Sequence, residues 1–121
     1  MRKITDFYSS YEGEPEIIFY FENLEGEIVQ LKAWMGYFDA IMAAIAATQN
    51  GWNGLSYYYH LDTGWFEKRP WRIPDLDDAL QDIQNVDTTQ LDHKALLVYR
   101  NLYELLHQAK LINQDVWVEY S

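Results

Sequence analysis

The chain has 121 residues, and its 19 acidic side chains against 9 Lys and Arg leave a formal net charge of −10. This length suits one domain over residues 1–121. With 49% hydrophobic and 17% aromatic residues, the composition is that of a folded protein and not of a disordered acidic tail. Because phosphate binding depends on neutralisation by Lys and Arg, the charge argues against a broad surface for nucleic acid or anionic lipid.

The chain contains no cysteine, which excludes disulfides, thiolate metal sites and a Cys nucleophile. The basic start, residues 1–6, is not followed by an apolar run, so we expect no signal peptide. The longest apolar stretch, 40–47, has eight residues and is too short to span a bilayer. Together these features predict a cytoplasmic protein.

The first half of the chain changes from strand to helix patterning. Residues 1–15 show no clear period, but apolar side chains alternate over 16–22 and 28–34, around the turn residues Asn23-Leu24-Glu25-Gly26. This pattern predicts a β-hairpin with apolar groups on both faces, covered on one side by helices. Helical spacing then predicts a helix over 35–49, ended by Asn50-Gly51.

The second half predicts another hairpin, with a strand over 55–61, a turn at 62–64 and a return strand from 65 to 67. Asp75 is placed to cap a short helix. Thr88 or Thr89 is placed to cap a long helix, since Thr89 to Asp92 matches a loose capping box.

A final alternating stretch, 116–120, predicts a closing strand. The predicted order is therefore ββ-α-ββ-α-α-β. It indicates an α+β fold with a mostly antiparallel sheet of about five strands, packed against two or three helices.

The residues offer little for catalysis. His60, His93 and His107 do not form a metal-binding motif, and abundant carboxylates make any single acid pair uninformative. Gly51 to Gly54 lacks the Lys and the following helix of a phosphate loop. We therefore expect no enzyme, no metal and no cofactor.

Thirteen of the 19 acidic residues fall into two tracts without a Lys or Arg, and the cluster Lys68, Arg69 and Arg72 lies between these tracts. The members of the first tract are Asp6, Glu12, Glu14, Glu16, Glu22, Glu25 and Glu27, and those of the second are Asp75, Asp77, Asp78, Asp82, Asp87 and Asp92. Such blocks favour a basic protein partner, because complementary fields accelerate association. The predicted contact residues are Asp75, Asp77, Asp78 and Asp82, then Glu12, Glu14, Glu22, Glu25 and Glu27, with Trp71 as an aromatic anchor.

A small, cysteine-free, acidic and aromatic α+β chain with the segment Asp75-Leu76-Asp77-Asp78 resembles the immunity proteins of bacterial toxin systems, including contact-dependent inhibition and colicin-like systems. The resemblance implies binding and neutralisation of a basic toxin domain, often a nuclease, by a monomer or weak homodimer. Two alternatives stay open. One is a nucleic-acid mimic of the anti-restriction or anti-CRISPR type. The other is a small-ligand or enzymatic domain with an aromatic pocket that includes His60.

Overall fold

Five strands and four α-helices form the part of the chain that the computed structural model describes, residues 2–47, 51–52, 54–60 and 70–120. A 3₁₀ turn over Thr88–Gln90 precedes the last helix. In chain order the elements are β1 (Arg2–Phe7), β2 (Glu16–Glu22), β3 (Ile28–Trp34), α1 (Met35–Ala43), α2 (Gly54–Tyr59), β4 (Trp71–Arg72), α3 (Leu76–Gln84), α4 (His93–Leu111) and β5 (Trp117–Tyr120).

The strands form one sheet in the order β1-β3-β2-β5-β4. Neighbouring strands pair antiparallel except β1, which runs parallel to β3. The predicted α+β fold with a mostly antiparallel sheet is confirmed, and so are the β2–β3 hairpin and the closing strand. β1 is an addition to the predicted order, since residues 1–15 showed no strand pattern.

The helices cover one face of the sheet. Ile17 and Phe19 of β2 pair with Ala33 and Leu31 of β3, and all four side chains lie in the core. The helices supply the other large buried groups, among them Phe38, Ile41, Met42, Leu102 and Leu106. Each such side chain stabilises the fold by roughly 1.5–3 kcal/mol. Within the described ranges, no helix has both the length and the apolar character needed to cross a membrane.

Helix α1 is shorter than predicted. It ends at Ala43, with Ala44 as its C-cap, and not near Asn50-Gly51. Ile45 leaves the helix to form a β-bridge with Val86, and the Asp87 N–H donates to the Ala44 carbonyl at 2.9 Å. This tertiary contact ends the helix earlier than the apolar spacing suggests.

The predicted strand over 55–61 is wrong, because Leu55 to Tyr59 belong to helix α2. The predicted turn at 62–64 and the return strand from 65 to 67 lie outside the described residues. The next strand, β4, has only the two residues Trp71 and Arg72 and pairs with β5.

The caps of the last two helices are Asp residues. Asp75 caps α3 as predicted, accepting from the Asp78 N–H at 3.1 Å. The prediction of Thr88 or Thr89 as the cap of α4 is wrong. Asp92 caps it, accepting from the Ala95 N–H at 2.8 Å, while Thr88 and Thr89 lie in the 3₁₀ turn.

Helix α4 ends in a Schellman motif. The Gln114 N–H donates to the Ala109 carbonyl at 3.0 Å, and the Asn113 N–H donates to the Lys110 carbonyl at 3.1 Å. Asn113 occupies the left-handed position, with φ of 56°. Asn and Gly tolerate this conformation better than other residues.

We therefore expect Asn113→Ala to lower the free energy of unfolding by about 1 kcal/mol, and Asn113→Gly to leave it equal or raise it slightly. Urea unfolding of both variants measures the difference. Equal losses in the two variants would contradict a left-handed residue at this position.

Candidate functional site

Helix α2 builds one wall of the candidate site, and side-chain hydrogen bonds hold it in place. The backbone N–H and the hydroxyl of Ser56 donate to the two carboxylate oxygens of Asp82 in α3, at 2.7 and 2.6 Å. The Tyr59 hydroxyl donates to Asp39 of α1 at 2.8 Å. Burial and this hydrogen bond raise the pKa of Tyr59 to about 12, so the donor keeps its proton at neutral pH. α2 is thus fixed to α3 and to α1.

A cavity of about 270 Å³ lies between α2 and the start of α3. Three aromatic side chains line it, Trp52, Tyr57 and Tyr58, together with the acidic Asp75 and Asp78. The other lining residues are Gly54, Leu55, Ile73 and Pro74. The cavity therefore combines aromatic rings with carboxylates, which is the chemistry that attracts a cationic group.

The aromatic wall is supported from outside the cavity. The Trp52 indole N–H donates to the Ile45 carbonyl at 3.0 Å, and its ring stacks on His60 with centroids 3.9 Å apart. Tyr58 contacts both Tyr57 and Trp71 edge-on, each with centroids 5.1 Å apart. Half-buried Trp71 thus packs behind Tyr58, while Tyr57 is 47% exposed. The sequence singled out Trp71, but Tyr57 is the more accessible ring.

Asp75, Asp77 and Asp78 form an exposed group at the N-terminus of α3, which we call the α3 acidic group. Two of these positions have a structural explanation: Asp75 caps the helix, and Asp77 pairs with Lys110 of α4 at 3.0 Å. Acidic residues in a first helical turn also interact favourably with the helix dipole. The charge nevertheless stays at the surface, since the side chain of Asp77 is 63% exposed.

Asp82 does not belong to that surface, which corrects its prediction as a contact residue. The residue is only 4% exposed, and both of its carboxylate oxygens accept from Ser56. Burial raises its pKa, while the hydrogen bonds from Ser56 and the charge of His60 act in the opposite direction. Asp82 is therefore a positioning residue for α2.

The first acidic tract divides between the two ends of strand β2. Glu12 and Glu14 are exposed in the loop before the strand, and Glu22, Glu25 and Glu27 surround the hairpin after it. A strand of seven residues separates the two sets by roughly 20 Å. The structure therefore does not bring all five glutamates together.

The hairpin and the α3 acidic group both lie beside the end of α4. Lys110 of α4 pairs with Asp77, while the next residue, Leu111, lines a groove of about 440 Å³ with Leu24 and Glu25 of the hairpin. Leu24 and Leu111 are the most exposed large apolar side chains in the described ranges, at 77% and 69%. Two acidic groups that are distant in sequence thus flank one end of the domain.

Side-chain hydrogen bonds of Asn23 close the hairpin turn at this end. The Asn23 side-chain oxygen accepts from the Glu25 and Glu27 N–H groups at 3.0 and 2.9 Å, and its amide donates to the Glu27 carboxylate at 3.3 Å. This last hydrogen bond and nearby Lys3 lower the pKa of Glu27. Because the turn is fixed by its own side chain, Leu24 is presented in a defined position.

The remaining candidates do not converge. His93 and His107 are exposed on α4, and His107 stacks against Tyr103 with centroids 6.1 Å apart. Among the described residues, no three His, Asp or Glu side chains come together in a way that could hold a metal ion.

Sequence reasoning offered an aromatic pocket with His60 but did not locate the cavity, whose lining does not include His60, and it missed the exposed leucines. The clearest available signal was Asp82, which lies three residues after Ala79 and beside Ile83, on the flank of the apolar stripe of α3. An acid at that position indicates an internal partner, here Ser56. The exposed leucines gave no comparable signal, since a single apolar side chain at a turn or a helix end is common and only the structure brings Leu24 and Leu111 to one groove.

Comparison with known proteins supplies no relative from which a function can be transferred. No protein-family model, no curated protein and no solved structure matches this chain significantly.

Proposed function

We propose that this chain is an immunity-type protein that acts in the cytoplasm, without catalysis of its own, by binding and neutralising a basic toxin domain, most simply a nuclease. The proposal has two supports: the sequence resembles immunity proteins in its length, charge and composition, and the domain has a surface suited to binding a protein. That surface consists of the α3 acidic group, the hairpin residues Glu22 and Glu25, and the exposed Leu24 and Leu111.

One observation carries the proposal: two acidic groups flank two exposed leucines at one end of the domain. Interfaces combine a central apolar patch with a polar rim, and the rim charges steer association. A solvated acidic surface alone would explain the carboxylates but not why two exposed leucines line one groove beside them. Of the nearby cations, Lys110 is paired with Asp77, and Lys3 lies near Glu27.

The test of this function begins with capture of the partner from the native cell and its elution with salt. We expect a basic protein that binds in equal stoichiometry and loses its toxic activity in the complex. A captured protein that keeps full activity when saturated would contradict the immunity function. Displacement of the partner by nucleic acid at the same surface would favour the nucleic-acid mimic.

The α3 acidic group is then tested by the double variant Asp77→Lys/Asp78→Lys. We expect its association rate with the captured partner to fall by about tenfold or more at low salt, with a weaker salt dependence, because steering is lost. The measurement is stopped-flow or surface-plasmon kinetics at two ionic strengths.

The matched control is Glu12→Lys/Glu14→Lys, which changes the net charge equally at the other end of β2. We expect a clearly smaller effect on the association rate. Equal slowing by the two double variants would mean that only net charge matters, and would remove the α3 acidic group from the interface.

A further inference from the structure

The geometry points to a more specific site within this surface: we propose that the aromatic cavity between α2 and α3 receives an arginine side chain of the protein partner. The inference rests on the proposed function for the identity of the partner. The choice of arginine as the bound side chain rests only on the residues that line the cavity. The site differs from a bare group of acids at a helix N-terminus, since three aromatic side chains form a concave wall.

The cavity walls present two kinds of attraction to a cation. Trp52, Tyr57 and Tyr58 line the cavity, and a guanidinium that lies over the face of such a ring is favoured by the ring quadrupole. Asp75 and Asp78 line the same cavity and supply acceptors for its N–H donors. A neutral apolar group would satisfy the rings but would leave these carboxylates without a countercharge.

The cavity is also formed in advance of binding. Trp52 is held by its hydrogen bond to the Ile45 carbonyl, and α2 is held by Ser56 on Asp82 and by Tyr59 on Asp39. A site whose walls are already fixed loses little conformational entropy when the ligand enters. The exposed Tyr57 ring is the wall that an incoming side chain meets from solvent.

Arginine fits this arrangement better than lysine. Its planar guanidinium can stack on one ring while its several N–H donors reach two carboxylates. The ammonium group of lysine is a more strongly hydrated point charge and cannot stack in this way. We therefore expect a preference for arginine, followed by lysine, and little affinity for an uncharged analogue.

The test uses defined peptides instead of the natural partner. Acetyl-Gly-Arg-Gly-amide is titrated into the full chain and followed by NMR, with the lysine and citrulline peptides compared. We expect the arginine peptide to shift the Trp52 indole and Tyr57 signals at millimolar concentrations, and the citrulline peptide to bind about tenfold more weakly or worse.

Two variants locate the site. Tyr57→Ala and Asp78→Asn should each weaken binding of the arginine peptide several-fold, whereas the control Glu12→Gln, which also removes one negative charge, should not. All of these positions are exposed, so urea unfolding should show near-native stability.

Three results would overturn the cavity proposal. They are equal binding of the citrulline and arginine peptides, shifts confined to other surfaces, and equal weakening by Asp78→Asn and Glu12→Gln. None of them bears on whether the chain captures and neutralises a basic protein, so failure of the cavity and failure of the proposed function are separate outcomes.

Discussion

Replacing Asp82 by Ala should lower the free energy of unfolding by about 3 kcal/mol, because two hydrogen bonds to a buried carboxylate are lost. Ser56 is fully buried and Asp82 is 4% exposed, so solvent does not readily replace the missing acceptor. Urea unfolding measures the loss. The exposed Asp78 is the control on the same helix, and Asp78→Asn should change stability by less than about 1 kcal/mol.

Asp82→Asn separates the shape of this side chain from its charge. Burial raises the pKa of the Asp82 carboxyl above its ordinary value of 3.8, so the folded protein holds this proton to a higher pH than the unfolded chain does. The group therefore favours folding fully below its unfolded pKa, and that contribution is lost as pH rises through the folded pKa.

It follows that the wild-type protein should lose stability relative to Asp82→Asn as pH rises from 3.8 through the raised pKa of the folded state. Parallel urea titrations of the two proteins over this range give the difference at each pH. A constant difference would show that the pKa of Asp82 is the same in the folded and unfolded states.

The strands that sequence reasoning recovered are those with a buried face. β2 and β3 alternate between core and outer positions, so their apolar period is visible without a structure. β1 has no such period, since Lys3, Ile4, Thr5 and Asp6 are all exposed. Its pairing with β3 comes from backbone hydrogen bonds in a parallel register, which leave no side-chain signature.

Helix α2 is an element for which the sequence pattern predicts the wrong structure. Three consecutive tyrosines, Tyr57 to Tyr59, favour a strand by intrinsic preference, and six residues are too few for a helix to be stable alone. The helix forms because Leu55 is buried in the core and Ser56 is bound to Asp82. Both contacts are tertiary, so local patterning could not reveal them.

The candidate site was predictable from the sequence only in part. Asp75, Asp77 and Asp78 follow a proline at the start of an amphipathic pattern, which places them at a helix N-terminus from sequence alone. The cavity beside them depends on α2, and the meeting of the hairpin with α4 depends on the sheet order. Charge along the chain therefore predicted an acidic surface but not which carboxylates share it.

Gly54→Ala should be as severe as the loss of Asp82, for a steric reason. Gly54 has φ of +60°, and a Cβ at this position would lie 2.6 Å from the backbone oxygen of Asp78 and 3.0 Å from Cβ of Asp82. The first obstacle is backbone of α3, which cannot rotate away as a side chain would. A left-handed conformation and overpacking together should cost roughly 3 kcal/mol.

Gly51→Ala is the matched control, because Gly51 also has positive φ, +88°, but no atom lies within 4 Å of its added Cβ. It should lose only the conformational part, about 1–2 kcal/mol. The difference between the two losses of unfolding free energy therefore measures the effect of the close approach of α2 to α3. Equal losses in Gly54→Ala and Gly51→Ala would contradict that close approach. Because Gly54 itself lines the cavity, the folded fraction of Gly54→Ala should also bind the arginine peptide less tightly than Gly51→Ala does.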